Sequence, residues 1–244
     1  MEQGNLFLSG HSGRGLDRAE LARRLGAGAG LGHGSDMAIA ALLGGEGARL
    51  FLADRPPPPH RPAAVLVPIL DHPPGEAEGP AIVFTRRAMH LAHHPGQVSF
   101  PGGRVDDTDD GPAAAALREA REETGLDPAR VDLVGRLDDY ITVTGFRITP
   151  FVGVVTPPVR LVPDPTEVDS IFEVPLAFLM DPGNHKHGVR EKDGKHRPYF
   201  AIPYGDHFIW GATAGILMNL FAILTGAAPP APPADEAPEP CASS

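Results

Sequence analysis

In the run Arg118-Glu119-Ala120-Arg121-Glu122-Glu123-Thr124-Gly125-Leu126, three carboxylates fall within two helical turns. On a helix, Glu119, Glu122 and Glu123 stand at i, i+3 and i+4 and share one face. Like charges at those spacings cost a bare helix about 0.2–0.5 kcal/mol per pair, so the cluster calls for a cation to offset the repulsion. All-oxygen donors suit Mg2+ or Mn2+, and Mg2+ in particular serves substrates that carry phosphates. Arg118 lies one turn before Glu122 and can orient it by a charge-assisted hydrogen bond. Cleaving a diphosphate with water needs cations on the bridging and terminal oxygens and a group that takes a proton from water. Any one of the three glutamates can be that base, and the sequence leaves the choice open.

The helix that must position them is legible. Asp110 or Gly111 can cap its start and Pro112 suits the first turn, where the missing N–H is not needed. Gly125 stands where a left-handed C-terminal residue belongs. Ala113, Ala116, Leu117 and Ala120 are expected on the side away from the carboxylates. Just upstream, Phe100-Pro101-Gly102-Gly103 forms a tight apolar turn.

These residues resemble the Nudix box, of general form G-x5-E-x7-R-E-U-x-E-E-x-G-U with U aliphatic. Arg118, Glu119, Glu122, Glu123, Gly125 and Leu126 match its second half, with Ala120 at the first U position. The first half departs: Gly103 to Arg118 is one residue longer, and the loop acid is Asp109 or Asp110 instead of glutamate. The segment from Thr85 to Gly103 resembles the coenzyme A pyrophosphatase branch of that family, with a pattern like L-L-T-x-R-S/A-x3-R-x3-G-x3-F-P-G-G. Thr85, Arg87, Ala88, Gly96 and Phe100 to Gly103 match, while Ala92 replaces an expected arginine. The resemblance implies a metal-dependent hydrolase that splits coenzyme A or its thioesters into 3′,5′-ADP and 4′-phosphopantetheine or its acyl form. It also implies that Glu122 and Glu123 carry most of the metal binding. Arg87, His94, Gln97, Gly102 and Gly103 are expected on the substrate, and Arg86 less directly. Another nucleoside-diphosphate-linked substrate, such as ADP-ribose or a dinucleotide, and a binding module without turnover are the alternatives.

The rest of the chain bounds this reading. A length of 244 residues accommodates one sizeable domain with extensions. The net charge of −10 argues against nucleic-acid binding, which favours a basic stripe. The single cysteine, Cys241, excludes an intrachain disulfide or a thiolate zinc site. A polar start without a basic leader points to a cytoplasmic protein. The stretch 208–228 is uncharged and long enough to span a bilayer, yet Thr213, Asn219 and Thr225 interrupt it and basic flanks are missing. Ile209 to Ala214 also resembles the closing helix of the coenzyme A branch, so a buried helix and no membrane contact are expected. A homodimer stays open.

Residues 1–60 read as an extension with helices near 17–25 and 35–43 and a stiff Pro56–Pro59 linker. Residues 61–226 read as the catalytic domain, and the Pro/Ala-rich acidic tail 227–244 as disordered. Ala63–Leu70 and Ala81–Thr85 read as buried strands, and Leu133–Leu137 with Arg147–Val155 as a strand pair. The expected fold is α/β: a Nudix-type α/β/α sandwich with a mixed sheet. Glu167 is a candidate further acid before a strand-like run. His90, His93 and His94 lack accompanying acids for zinc, and His185, His187 and His196 are placed in a polar surface loop.

Overall fold

A computed structural model describes residues 18–28, 60–72, 79–192, 195–229 and 239–240. The expected helix at 35–43 and the Pro56–Pro59 linker lie outside these residues. Strands β1 (Arg61–Leu70) and β7 (Phe146–Val155) run parallel at the centre of an eight-stranded sheet, in register from Arg61 opposite Phe146 to Leu70 opposite Val155. The other pairings in this sheet are antiparallel. β2 (Ala81–Arg87) lies beside β1, β8 (Val168–Pro175) beside β2, and β5 (Val131–Arg136) and β6 (Tyr140–Ile141) beside β7. The expected strand pair at 133–137 and 147–155 is thus β5 with β7.

Both faces of the sheet are covered, which is why its strands are apolar on both sides. Along β1, Ala64, Leu66 and Leu70 face one helix, α2 (Pro112–Thr124), and its Ala115, Ala116 and Ala120. Val67 and Ile69 face the opposite layer, made by α1 (Arg18–Gly28) and α4 (Ala212–Thr225). The alternation follows from the two-residue period of a strand. α4 is apolar all round and buried along nearly its whole length, and no helix among the described residues is long and apolar enough to cross a membrane. Its polar residues act as anchors. Thr213 Oγ1 donates to Val98 O at 3.0 Å. Asn219 exchanges two bonds with Asp138, at 3.0 and 3.1 Å.

Three expectations change. Phe208 to Trp210 belong not to the closing helix but to strand β11 (His207–Trp210). The segment placed in a polar loop is a hairpin, β9 (Lys186–Lys192) with β10 (Lys195–Tyr204), and these join β11 in a second, four-stranded sheet. His185 is buried there, its Nε2 2.8 Å from Leu179 O. Within the tail, β12 (Glu239–Pro240) pairs in parallel with Gly188 and Val189 of β9, because an open strand edge offers bonding groups to any extended chain. The other tail residues beyond 229 lie outside the described ones.

Candidate active site

The site forms where β1 and β2 diverge. They pair only at Ile69–Ile82 and Leu70–Ala81, and the wedge that opens is filled by β3 (Val98–Ser99) on β2 and β4 (Gly102–Arg104) on β1. Two glycines of β4 permit close approaches, Gly102 to β1 and Gly103 to α2. A Cβ on Gly102 would stand 2.4 Å from Ala64 O, and one on Gly103 would stand 2.5 Å from the Glu119 carboxyl carbon. The Gly102 N–H donates to Glu123 Oε2 at 3.2 Å. α2 itself begins at Gly111 with Pro112 in its first turn and ends on left-handed Gly125, as its sequence predicts.

The acidic face is divided by depth. Glu119 and Glu123 enter the cleft, whereas Glu122 is largely exposed outside its lining and bonded to Arg118 Nη1 at 3.0 Å. The expected packing face shifts with them: Ala115, Ala116 and Ala120 are buried, and so is Glu123, one turn beyond Glu119. Burial pushes the Glu123 carboxyl up to about 8; the Gly102 N–H and Arg87 oppose this, while Glu119 and Glu167 add to it. Burial also raises Glu119, against the pull of Arg118.

Arg118 is the organising cation. It donates to Asp109 through Nε at 2.8 Å and Nη2 at 3.0 Å, to Glu119 at 3.0 Å, and to the Arg104 carbonyl at 3.2 Å. The loop made one residue longer therefore returns its acid, Asp109, as a two-pronged clamp on Arg118, which holds that carboxyl down to about 2. Glu167 reaches the cleft because β2 and β8 are paired: the Ala88 N–H donates to Glu167 O at 2.8 Å.

Arg87 ends β2, and the turn after it closes through Arg87 N–H to Gln97 O and Gly96 N–H to Arg87 O, both 3.0 Å. Arg87, His94, Gln97, Gly102, Gly103, Glu119, Glu123 and Glu167 all line one cleft of about 990 Å3. Burial lowers His94, helped by the Arg87 charge and opposed by a bond to Gln97. Arg86 turns away and pairs with Asp169 at 3.2 Å.

The residues present fit a divalent cation. No three His, Cys, Asp or Glu side chains among the described residues form a ready-made cage. Mg2+ needs none, since it is held by one or two carboxylates completed by substrate phosphates and water. Glu119, Glu123 and Glu167 repel one another's charge, and a cation would relieve that repulsion. Glu119 and Glu123 would hold it, with Glu122 or Glu167 completing the oxygen set.

Arg61, Arg104, Phe146, Arg190, Arg197, Tyr199 and Trp210 also line the cleft, and the sequence reading missed them. Arg190 and Arg197 had a signal. They flank an Asp193-Gly194 dipeptide, a hairpin turn signature. Arg61 and Phe146 had none, because only the parallel pairing of β1 with β7 makes them neighbours.

A helix that carries R-E-x-x-E-E over a glycine pair, with a cleft of about 990 Å3 beside it, defines a Nudix hydrolase site. The chain belongs to the Nudix family: the NUDIX domain matches residues 59–192. It is 41% identical over 177 residues to the uncharacterized Nudix hydrolase NudL of Shigella flexneri, covering 72% of this chain and 88% of the relative. It is 42% identical over 162 residues to the protein of the same name from Escherichia coli K12, covering 66% and 81%. Among solved structures, a C. elegans Ap4A hydrolase binary complex aligns with a TM-score of 0.39 at 17% identity, over 46% of this chain and 77% of that one.

Proposed function

We propose that this chain hydrolyses the diphosphate bond of coenzyme A or an acyl-CoA, giving 3′,5′-ADP and 4′-phosphopantetheine or its acyl form. The observation that carries the reading is the single cleft in which Arg87, His94 and Gln97 of the upstream block face the Glu119–Glu123–Glu167 carboxylates. Mg2+ or Mn2+ bound there would neutralise charge on the diphosphate oxygens and make water a better nucleophile. Arg87 binds a phosphate oxygen, and His94, kept neutral by burial beside Arg87, offers a ring nitrogen without adding a second charge. Arg118 holds Glu119 and Glu122 in place, and a glutamate of this group that the metal leaves free can take the proton from water.

The test is turnover of coenzyme A, ADP-ribose and NADH side by side with Mg2+, Mn2+ or EDTA, with products read by mass spectrometry. Metal-dependent release of 4′-phosphopantetheine, with coenzyme A well ahead, is expected. Preference for ADP-ribose or a dinucleotide would keep the chemistry and move the substrate. Tight nucleotide binding without any cleavage would make the chain a binding module.

A further inference from the structure

In a chain of net charge −10, carboxylates are plentiful, and most described arginines outside the cleft pair with one. Arg61 and Arg104 do not. Among the described residues neither lies within ion-pair distance of an acid, although both line the cleft. Both gather on one ring: the Arg61 guanidinium carbon is 4.0 Å from the Phe146 centroid and that of Arg104 is 5.8 Å away. Arg61 is held there by a bond from Nη2 to Thr144 O at 2.9 Å. The sheet dictates the grouping. Arg61 is the cross-strand partner of Phe146, Arg104 that of Ala63, and residues 61 and 63 share a face of β1. Two cations brought to one ring repel each other unless an anion joins them.

This cluster is separate from the one already described. Glu119 and Glu123 rest on Gly102 and Gly103 of β4, which divides β2 and β3, with Arg87, from β1 and β7, with Arg61 and Phe146. The cleft therefore has cations on both sides of its carboxylates. A diphosphate alone needs one such side. A substrate with a third, detached phosphate uses both.

We infer that Arg61 and Arg104, gathered on Phe146, form a second anion subsite that takes the phosphomonoester of the substrate's nucleotide half. The inference rests on the diphosphate reading above and adds the feature that distinguishes coenzyme A from ADP-ribose, a monoester carrying a charge of about −1.5 to −2 at pH 7. Arginine suits it, because a guanidinium meets phosphate through two parallel N–H bonds.

Calorimetric titration of the full chain with 3′,5′-ADP and with 5′-AMP, in EDTA, tests the subsite without turnover. Wild type is expected to bind 3′,5′-ADP about 10-fold more tightly, the worth of one charged hydrogen-bond pair. Arg104→Gln is expected to erase most of that difference and leave 5′-AMP unchanged, while Arg104→Lys keeps part of it. Arg104 is exposed, so the variant folds, and a thermal melt checks this. Arg61→Gln is the second variant. Equal binding of the two nucleotides by wild type would overturn the inference. So would equal weakening of both nucleotides by the variants, or discrimination lost in Arg87→Gln but kept in Arg104→Gln. Discrimination that depends on Arg104, in a chain that does not cleave coenzyme A, would keep the subsite and discard the hydrolytic reading.

Discussion

At the scale of residues, Glu123 stands out as a carboxylate buried among other carboxylates. Glu123→Gln and Glu119→Gln are each expected to lower kcat by about 10²–10⁴ and to stay folded. Glu122→Gln should cost less, since that carboxylate is exposed and engaged by Arg118 outside the cleft lining; steady-state rates with Mn2+ check the order. The raised Glu123 carboxyl also sets a pH dependence. Between 4.5 and about 8 the unfolded chain has released a proton that the folded chain still holds. Stability of the metal-free protein therefore falls as pH rises through that window and levels off above it. Melting curves in EDTA should show this decline, Glu123→Gln should flatten it, and Mn2+ affinity should rise with pH over the same range. Asp109 works in the opposite sense: its contribution is complete above 3.8 and disappears only as pH falls through about 2.

At the scale of elements, the site depends on how closely α2 meets β4. Gly103→Ala places a methyl group against the Glu119 carboxylate, which is the mobile end of a side chain. Activity should fall on the order of 10²-fold while the melting temperature changes little. A methyl group at Gly102 meets the Ala64 carbonyl instead, so there stability suffers. On the far face, Asn219→Leu strands the Asp138 N–H and should cost about 1–3 kcal/mol, read by urea denaturation. These elements differ in how well the sequence announces them. α2 is legible to its last residue, because its caps, small packing residues and acids are all local signals. The depth difference between Glu122 and Glu123 is not, because ideal helical spacing puts them on one face and only the contact with β4 separates them. The β9–β10 hairpin was hidden by its composition: lysines, histidines and a glycine read as loop, although Tyr199, Phe200, Ala201 and Ile202 of β10 are all buried. Its Arg190 and Tyr199 reach the cleft only through a second sheet that packs on the common core.

At the scale of the molecule, part of the N-terminal extension is structural. Leu21 and Leu25 of α1 are in the main core, and Leu25 packs over Gly135, where an added Cβ would stand 2.8 Å from Leu25 Cβ. Leu25→Ala should cost about 2–5 kcal/mol in a chemical denaturation. Removing residues 230–244 is expected to leave turnover intact, since among the described residues the tail contributes a two-residue strand on the edge of β9 and no cleft-lining residue. The parallel pair at the centre bears on how the chain comes to fold at all. β1 cannot find β7 until the intervening residues 71–145 have been made, and its other face waits for α4 at Ala212–Thr225. Parallel pairing across so long a separation is slow, because loop-closure entropy is spent before any contact repays it. During synthesis the face of β1 that carries Val67 and Ile69 stays uncovered until α4 is made, and exposed apolar surface is what aggregates. The same connection that brings Arg61 to Phe146 thus leaves apolar surface of the unfinished chain uncovered until its last described helix is made.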